Sequence, residues 1–399
     1  MATRPAPHDL LIAGAGPVGL AIAALAARDA GASVVVCDPA PSSKPDALRV
    51  STLAPDSVAL VADLGAWDAL APHAAPVAAM SITDSTLDEP VRREFLRFDG
   101  EDGAPLAHVV ENARVAAALR ERCSALGVAF RRGAVTAMSA GPAAADVTLS
   151  DGTAARARLV VAADGADSAL RTGAGLKALA RDYAQVGIVA TLTHEFPHDG
   201  TAVQHFLPGG PFALLPLTEN RSSIVWTEDA AVARGLMRGD QARVVEAIRL
   251  RAGTHLGVIE VVDGPKAFPL RLRLAREWTA PRLALAGDAA HAVHPLAGQG
   301  LNLGLRDAQA LARAVARPLR LGLDPADPET LADYVRARRF ETVAMALAFD
   351  ALDDLFSNRS VALRRLRDFG LAAVNRATPL KRAFARRAAA GVGSAAPPA

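Results

Sequence analysis

The stretch Asp9-Leu10-Leu11-Ile12-Ala13-Gly14-Ala15-Gly16-Pro17-Val18-Gly19 lies close to the start of the chain. An apolar run leads into three glycines spaced Gly-x-Gly-x-x-Gly, and an alanine-rich stretch with helical character continues over residues 18–30. A second apolar run, at residues 34–37, ends at Asp38. This order of strand, glycine turn, helix, strand and acid predicts a dinucleotide-binding βαβ unit.

Each residue type in this unit has a physical reason. Gly14 permits a tight turn, Gly16 lets backbone N–H groups approach a pyrophosphate, and Gly19 lets the helix pack close to the strand. The positive end of the helix then faces the phosphates. Asp38 lies about twenty residues beyond the glycines, where its carboxylate is placed to accept hydrogen bonds from a ribose.

Composition limits the class of protein. The chain has 399 residues, enough for two domains, and its 51% hydrophobic and 22% charged content is ordinary for a globular protein. A net charge of +2 argues against a general nucleic-acid binder, because neutralising phosphates needs a concentrated basic face. Cys37 and Cys123 cannot form a disulfide framework and lack metal-ligand spacing. We therefore expect a cytoplasmic protein without a metal site.

Hydrophobic periodicity predicts two interleaved domains. Helical spacing recurs at residues 56–70, 112–126 and 304–319, and residues 158–163 have the pattern of a buried parallel strand. Over residues 183–268, alternating runs predict an antiparallel sheet interrupted by one helix near residues 241–251. We assign residues 1–75, 105–170 and 269–345 to the nucleotide-binding domain, residues 76–104 and 171–268 to a β domain for the substrate, and residues 346–399 to a C-terminal helical segment.

Two further motifs identify a family. One is Ala163-Asp164-Gly165-Ala166-Asp167-Ser168; the other runs from Gly287-Asp288-Ala289-Ala290-His291 to His294-Pro295-Leu296-Ala297-Gly298-Gln299-Gly300-Leu301-Asn302-Leu303-Gly304. With the first glycine motif, they resemble the FAD-dependent aromatic hydroxylases of the para-hydroxybenzoate hydroxylase type, and most of all the ubiquinone-biosynthesis hydroxylases. The resemblance spans nearly the whole chain. It implies an α/β fold, in which a Rossmann-like FAD-binding domain of the GR2 type is interleaved with an antiparallel β-sheet substrate domain and followed by C-terminal helices.

The resemblance also implies roles for individual residues. The glycines and Asp38 would hold the ADP half of FAD, although Asp38 is shorter than the Glu more usual at that position. Asp288 would contact the ribityl chain, and the backbone of residues 298–302 would follow the pyrimidine edge of the isoalloxazine. The implied cofactor-binding residues are Gly14, Gly16, Gly19, Asp38, Arg49, Asn112, Asp164, Gly165, Asp288, Gly298, Gly300, Leu301 and Asn302.

The chemistry that the resemblance implies belongs largely to the cofactor. NADPH or NADH would reduce FAD, dioxygen would form a flavin C4a-hydroperoxide, and that species would hydroxylate a phenolic ring. Pro295 would lie beside the reacting face, and His294 and His291 are acid–base candidates because histidine titrates near neutral pH. Loop packing is the alternative for both histidines. The residues expected along the substrate sheet are Tyr183, Leu215, Pro216 and Trp226, with core packing as an alternative for Trp226.

The end of the chain is basic and amphipathic. Nine cationic residues face one acid, Asp368, and apolar side chains lie between them. Such a segment suits an anionic membrane surface, and hence a polyprenylated substrate that lives in the bilayer. Packing on the body of the protein and docking to a biosynthetic complex are the alternatives. The cationic residues are Arg359, Arg364, Arg365, Arg367, Arg376, Lys381, Arg382, Arg386 and Arg387.

Together, these observations predict an FAD monooxygenase that hydroxylates an intermediate of ubiquinone biosynthesis, cytoplasmic or peripheral on the inner face of the membrane. One alternative is a flavin hydroxylase of a soluble aromatic or polyketide substrate. Another is a flavin-fold scaffold that has lost catalysis.

Overall fold

The computed structural model of the protein describes residues 6–40, 48–87, 92, 94–207, 209–293, 298 and 300–356, with side chains as far as residue 348. The helices among these residues are α1 (Pro17–Ala30), α2 (Pro55–Asp63), α3 (Trp67–Leu70), α4 (Asn112–Ala125), α5 (Ala169–Gly173), α6 (Ala230–Arg238), α7 (Gln241–Ala252), α8 (Gly300–Arg320) and α9 (Pro328–Phe356). Short 3₁₀ turns lie at Ala71–His73 and Gly287–Ala289.

The strands in the same part of the chain form three sheets. They are β1 (His8–Ala13), β2 (Val34–Asp38), β3 (Val50–Leu53), β4 (Ala75–Val77), β5 (Ala79–Asp84), β6 (Glu94–Asp99), β7 (Ala107–Glu111), β8 (Ala129–Arg132), β9 (Val135–Ala140), β10 (Ala145–Leu149), β11 (Ala154–Ala162), β12 (Ala178–His194), β13 (Thr201–Leu207), β14 (Gly210–Leu217), β15 (Arg221–Asp229), β16 (Ile259–Ala275), β17 (Thr279–Ala280), β18 (Leu283–Leu285) and β19 (His291–Ala292).

The first sheet is built around the predicted βαβ unit. Its parallel core has the order β18-β11-β1-β2-β8, and the apolar runs of β1, β2 and β11 are buried, as expected for a parallel sheet covered on both faces. The predicted helix over residues 18–30 is α1, which begins at Pro17, where the fixed φ of proline suits a first turn. Ala13, Cys37 and Ala162 lie side by side in register. The residues that follow them therefore meet at one edge of the sheet.

The second sheet has the order β19-β16-β12-β15-β14-β13-β5-β6. It is antiparallel as predicted, with one exception. Strand β13 pairs in parallel with β5, which comes from the segment of residues 76–104 assigned to the β domain. The prediction of one helix in this region was wrong, because a second helix, α6, precedes α7. Helix α6 begins after Asp229, whose side chain caps two backbone N–H groups. The domain boundary placed at residue 268 falls within β16, and the boundary placed at 345 falls within α9.

Two predicted helices have different limits in the structure. The helix expected over residues 56–70 is divided into α2 and α3, because Gly65 between them has a φ of +72°. The helix expected from residue 304 begins earlier, at Gly300. The uncharged stretch of residues 10–27 lies in β1 and α1, and no helix in the described ranges has the length and hydropathy that a membrane crossing requires.

The two faces of the second sheet have different environments. Ile188, Phe212 and Trp226 pack with α6 and α7 on one face, whereas Leu215 on the other face packs with Val109 of β7. A cavity of about 420 Å³ lies beside the end of α7. It is lined in part by Thr83, His198, His205, Ser222 and His255.

His205 is a buried imidazole in this cavity wall. It is 4% exposed, its Nδ1 lies 2.7 Å from the hydroxyl of Thr83, and its ring stacks on Phe212. Desolvation lowers the pKa of His205 from 6.5 to about 3. The unfolded chain therefore binds a proton below pH 6.5 that the folded protein does not bind until about pH 3. Keeping this ring neutral therefore costs no unfolding free energy above pH 6.5, but the free energy of unfolding decreases as the pH falls from 6.5 to about 3.

We predict that replacing His205 with Gln reduces the acid sensitivity of the fold. One proton is involved, so the slope of unfolding free energy against pH should fall by about 1.4 kcal/mol per pH unit between pH 6 and 4. Urea unfolding at several pH values measures this slope. The exposed residue His73 supplies the matched control, His73→Gln, which should keep the wild-type slope. An unchanged slope in His205→Gln would contradict the assignment.

Candidate functional site

The first glycine turn combines two close backbone contacts with one open position. Gly14 has a φ of +107°, and a Cβ there would overlap the carbonyl group of Ala163. A Cβ on Gly19 would overlap the carbonyl oxygen of Gly14. Gly16 is exposed, and nothing lies within 4 Å of the place where its Cβ would be. Two of the glycines are therefore required for packing, whereas Gly16 leaves a cradle at the N-terminus of α1.

Asp38 fixes the shape of this turn. Its Oδ2 accepts a hydrogen bond of 2.8 Å from the backbone N–H of Ala15, and its Oδ1 accepts one of 2.8 Å from Ala40. A carboxylate has about four acceptor positions, so further acceptor capacity remains on both oxygens. The position predicted to bind a ribose is thus also a support of the glycine turn.

The second glycine motif packs directly against the first. Gly287 has a φ of +59°, and a Cβ there would lie 3.2 Å from a methyl group of Val18. A Cβ on Gly304 would lie 2.5 Å from the same methyl group and 3.4 Å from the Cα of Gly287. Helix α8 therefore approaches the start of α1 closely, and two motifs far apart in the sequence become neighbours.

Asp288 lies on the 3₁₀ turn Gly287–Ala289, shortly after β18. It is exposed to solvent, yet desolvation by the surrounding protein raises the pKa of its carboxyl above the ordinary value. The charges of His291 and Arg49 oppose this rise. A side chain that is exposed to solvent and also desolvated by surrounding protein indicates a concave site, which we call the cleft.

A third segment, residues 49–54, closes this site. The amide of Asn302 donates to the carbonyl of Thr52 at 2.8 Å and accepts from the N–H of Ala54 at 3.0 Å. A Cβ on Gly298 would lie 3.1 Å from the hydroxyl of Thr52. The N–H of Asn112 donates to the carbonyl of Arg49 at 2.8 Å. The structure thus brings Arg49, Asn112, Gly298 and Asn302 together, and the Asn302 side chain ties α8 to β3.

The remaining predicted positions join the same cleft. Asp164 and Gly165 follow β11, and the backbone of Ala163 and Asp164 contacts the turn at Gly14. Gly300 and Leu301 begin α8, whose first N–H groups have no partner within the helix. These contacts connect the predicted cofactor-binding residues with one another, between the first sheet, β3 and α8.

Two supporting residues were missed by the sequence analysis. Arg171 donates to the carbonyls of Ala289, at 2.8 Å, and Ala166, at 2.7 Å, and so joins two of the motifs. Asp307 is fully buried on α8 and accepts a hydrogen bond of 3.1 Å from the N–H of Gly287. In the sequence, Asp307 could have been recognised as a charged residue on the apolar face of a predicted helix. No sequence pattern marked Arg171.

A family model described as an FAD binding domain matches residues 8–348. The chain belongs to this FAD-binding family. Its relatives include the ubiquinone hydroxylase UbiL of Rhodospirillum rubrum, 40% identical over 95% of this chain and 89% of the relative, and the 3-demethoxyubiquinol 3-hydroxylase of Escherichia coli, 34% identical over 94% and 97%. A crystal structure of p-nitrophenol 4-monooxygenase PnpA from Pseudomonas putida has a TM-score of 0.79 at 20% identity, covering 95% of this chain and 96% of that one. The predicted likeness to flavin-dependent aromatic hydroxylases, and the predicted fold class, are confirmed.

FAD fits the cleft of this flavoprotein. Buried polar atoms of three cleft residues have no hydrogen-bond partner among the described residues: Thr52 Oγ1, Asn112 Oδ1 and Asp164 Oδ1. Such atoms are costly unless a ligand or water satisfies them. The open position at Gly16 leaves room for a phosphate at the helix N-terminus. No group of three potential metal ligands is found in the described part of the flavoprotein.

The four residues expected along the substrate sheet do not share one face. Leu215 packs with Val109 of β7, and Tyr183 and Val293 both pack against Leu272 and Leu274 of β16. Pro216 alternates with Leu215 along β14, so its side chain lies on the opposite face. Trp226 also lies on that face, 1% exposed under Arg251. Pro216 and Trp226 therefore lie on the face away from Leu215, and the burial of Trp226 agrees with the core-packing alternative.

The structure describes only one of the two histidines expected as acid–base candidates. His291 is 1% exposed and pairs through Nε2 with the carboxylate of Asp307, so the packing alternative accounts for it. His294 and Pro295 lie outside the described residues. The catalytic roles expected for them are untested.

We predict that Gly16→Ala weakens FAD binding without weakening the fold. The added methyl group meets no protein atom, so the free energy of unfolding without FAD should change by less than about 0.5 kcal/mol. It would fill the phosphate cradle and raise the FAD dissociation constant by about tenfold or more. Gly14→Ala is the contrasting variant, because its strain should cost about 2 kcal/mol of stability itself. Urea unfolding and FAD fluorescence titration measure the two quantities, and equal FAD affinity in Gly16→Ala and wild type would contradict the assignment.

Proposed function

We propose that this flavoprotein adds one oxygen atom to the phenolic ring of a polyprenylated intermediate of ubiquinone biosynthesis. Dioxygen supplies the oxygen, its second atom leaves as water, and NADPH or NADH supplies the two electrons. One observation carries the proposal: a relative that is 40% identical over almost the full length is named a ubiquinone hydroxylase. The 3-demethoxyubiquinol 3-hydroxylase at 34% identity supports the same substrate class.

The residues of the cleft would hold the cofactor in defined parts. Gly16 and the first turn of α1 would bind the pyrophosphate, with Asp38 at the ribose and Asp288 at the ribityl chain. The first N–H groups of α8, which have no partner within the helix, favour negative charge and would stabilise the reduced ring. When bound, FAD supplies the electron transfer and the activation of oxygen. Arg49 lies close enough to Asp288 to lower its pKa, and so adds positive charge to the cleft.

The substrate side of the cleft would lie between the second sheet and the segment after Val293. Tyr183, which is partly buried, would offer apolar surface there, and Leu215, which is buried, would support it; together they would orient an aromatic ring and exclude water. The backbone carbonyl of Pro295 would accept a hydrogen bond from the phenol. His294 would hold or release a proton near neutral pH. Asp164 and Gly165 would serve both FAD and the nicotinamide donor, which would bind transiently.

We predict that the purified holoprotein oxidises NADPH or NADH in the presence of a polyprenylated phenol and yields a product carrying one additional oxygen atom. Burial of even one isoprene unit should raise kcat/KM by about tenfold over the same phenol without a tail. Mass spectrometry detects the additional oxygen atom in the product, and the rate of NADPH or NADH oxidation gives kcat/KM. Equal turnover of the tail-free phenol would favour the soluble-substrate alternative. A yellow protein that shows no phenol-dependent oxidation would favour the scaffold.

A genetic experiment addresses the pathway directly. Deletion of the gene should cause accumulation of a quinone precursor that lacks one ring hydroxyl group. An unchanged quinone profile would contradict the proposed pathway while leaving FAD binding intact.

We also propose that residues 357–399 bring the enzyme to an anionic membrane surface, where a polyprenylated substrate resides, or to a biosynthetic complex assembled there. Each basic residue near such a surface contributes about 1 kcal/mol. The triple variant Arg364→Glu/Arg365→Glu/Arg367→Glu should therefore reduce sedimentation with anionic liposomes by about a hundredfold or more, and added salt should reduce that of wild type.

The matched control reverses three exposed arginines on α6 and α7, in the variant Arg234→Glu/Arg238→Glu/Arg243→Glu. It should sediment like wild type. An equal loss of liposome sedimentation in both triple variants would assign the effect to net charge alone. Absence of liposome binding by the wild-type protein would contradict the membrane proposal.

A further inference from the structure

A buried charge cluster lies behind the turn that presents Asp288 to the cleft. Its centre is Asp307 on α8, which is 0% exposed. Oδ2 of Asp307 accepts from the N–H of Gly287 at 3.1 Å and contacts Nε2 of His291. Oδ1 accepts from Nε of Arg338 at 2.9 Å. The carboxylate thus receives donors from both ends of the turn and from α9.

The cluster continues through α9 to α2. Arg338 is 5% exposed and also pairs with Glu341, which lies 3.4 Å from Arg306. Arg306 in turn pairs with Asp56 on α2 at 2.6 Å. Three helices are therefore joined through one chain of alternating charges that ends at the turn.

Asp307 is ionised in this setting. Burial alone would raise the pKa of its carboxyl, but His291 and Arg338 lower it below the ordinary value. An ionised carboxylate has acceptor positions on both oxygens, whereas an amide has a single acceptor oxygen and two N–H donors. Asparagine at this position would turn a donor towards either Arg338 or the turn.

We infer that Asp307 is a positioning residue for FAD, acting through Gly287 to hold the Asp288 carboxylate at the place where the ribityl chain would lie. Further hydrogen bonds also restrain the turn: the N–H of Ala290 donates to the carbonyl of Gly287 at 2.9 Å, the N–H of Ala275 donates to the carbonyl of Ala290 at 2.8 Å, and Arg171 donates to the carbonyl of Ala289. Asp307 restrains the residue directly before Asp288. Without it, Asp288 would remain in the cleft but in more than one orientation, and affinity for FAD would fall.

The test compares FAD affinity with stability in full-length holoprotein. Samples are diluted, and released FAD is followed by its fluorescence, while urea unfolding gives the midpoint. Asp307→Asn should raise the FAD dissociation constant about tenfold, the loss typical of removing a support of a ligand-binding group. If this variant does not fold, Asp307→Asn/Arg338→Met removes both charges and should show the same loss of affinity.

A double-variant comparison separates positioning from general destabilisation. If Asp307 acts through Asp288, then Asp288→Asn/Asp307→Asn should bind FAD no more weakly than Asp288→Asn alone. If the two losses multiply, Asp307 acts independently of Asp288, and the inference is wrong. Wild-type affinity in Asp307→Asn would also overturn it.

A matched control lies in the second domain. Glu228 is 3% exposed and pairs with Arg251 at 2.8 Å, so it is another buried carboxylate with a guanidinium partner. Glu228→Gln should lower the unfolding midpoint and leave the FAD dissociation constant unchanged. Equal loss of affinity in Glu228→Gln and Asp307→Asn would assign the effect to stability rather than position.

Discussion

The close packing against glycine backbone at the start of α1 is the constraint on which the rest of this structure depends. Gly14 contacts the carbonyl of Ala163, Gly19 contacts the carbonyl of Gly14, and Gly304 on α8 contacts Val18. None of these contacts leaves room for a side chain. Because they join residues from three distant parts of the sequence, the same contacts that close the core also assemble the walls of the cofactor cleft.

Buried charge then fixes the orientation of what packing has brought together. Removing ionised groups from water is costly, and a buried ion pair often adds little net stability. The cluster around Asp307 is therefore better understood as a constraint on geometry than as a source of stability. The Arg171 guanidinium, which lies between the turns after β11 and β18, has the same character: its hydrogen bonds run to backbone carbonyls of both motifs.

Much of the fold could be predicted because its signals are local. The parallel strands at β1, β2 and β11 are continuous apolar runs, and α1 has a proline at its start and a glycine after its end. The failures have local causes too. Gly65 divided a helix whose apolar spacing was continuous, and Asp229 began a second helix in a region where only one was predicted. The parallel pairing of β13 with β5 involves strands more than a hundred residues apart, which no local pattern reports.

The sequence by itself determined the kind of site: the residue types and spacing of three motifs are sufficient for an FAD-binding fold, because glycines, helix starts and acids act through their own backbone and charge. It did not determine which side chains share a face. Leu215 and Pro216 are adjacent in the chain yet lie on opposite sides of the second sheet, and Trp226 belongs to the core behind it. Only the tertiary structure placed Asp307 and Arg338 behind Asp288, because a buried charge is defined by its partners, and those partners come from helices that the sequence does not show to be neighbours.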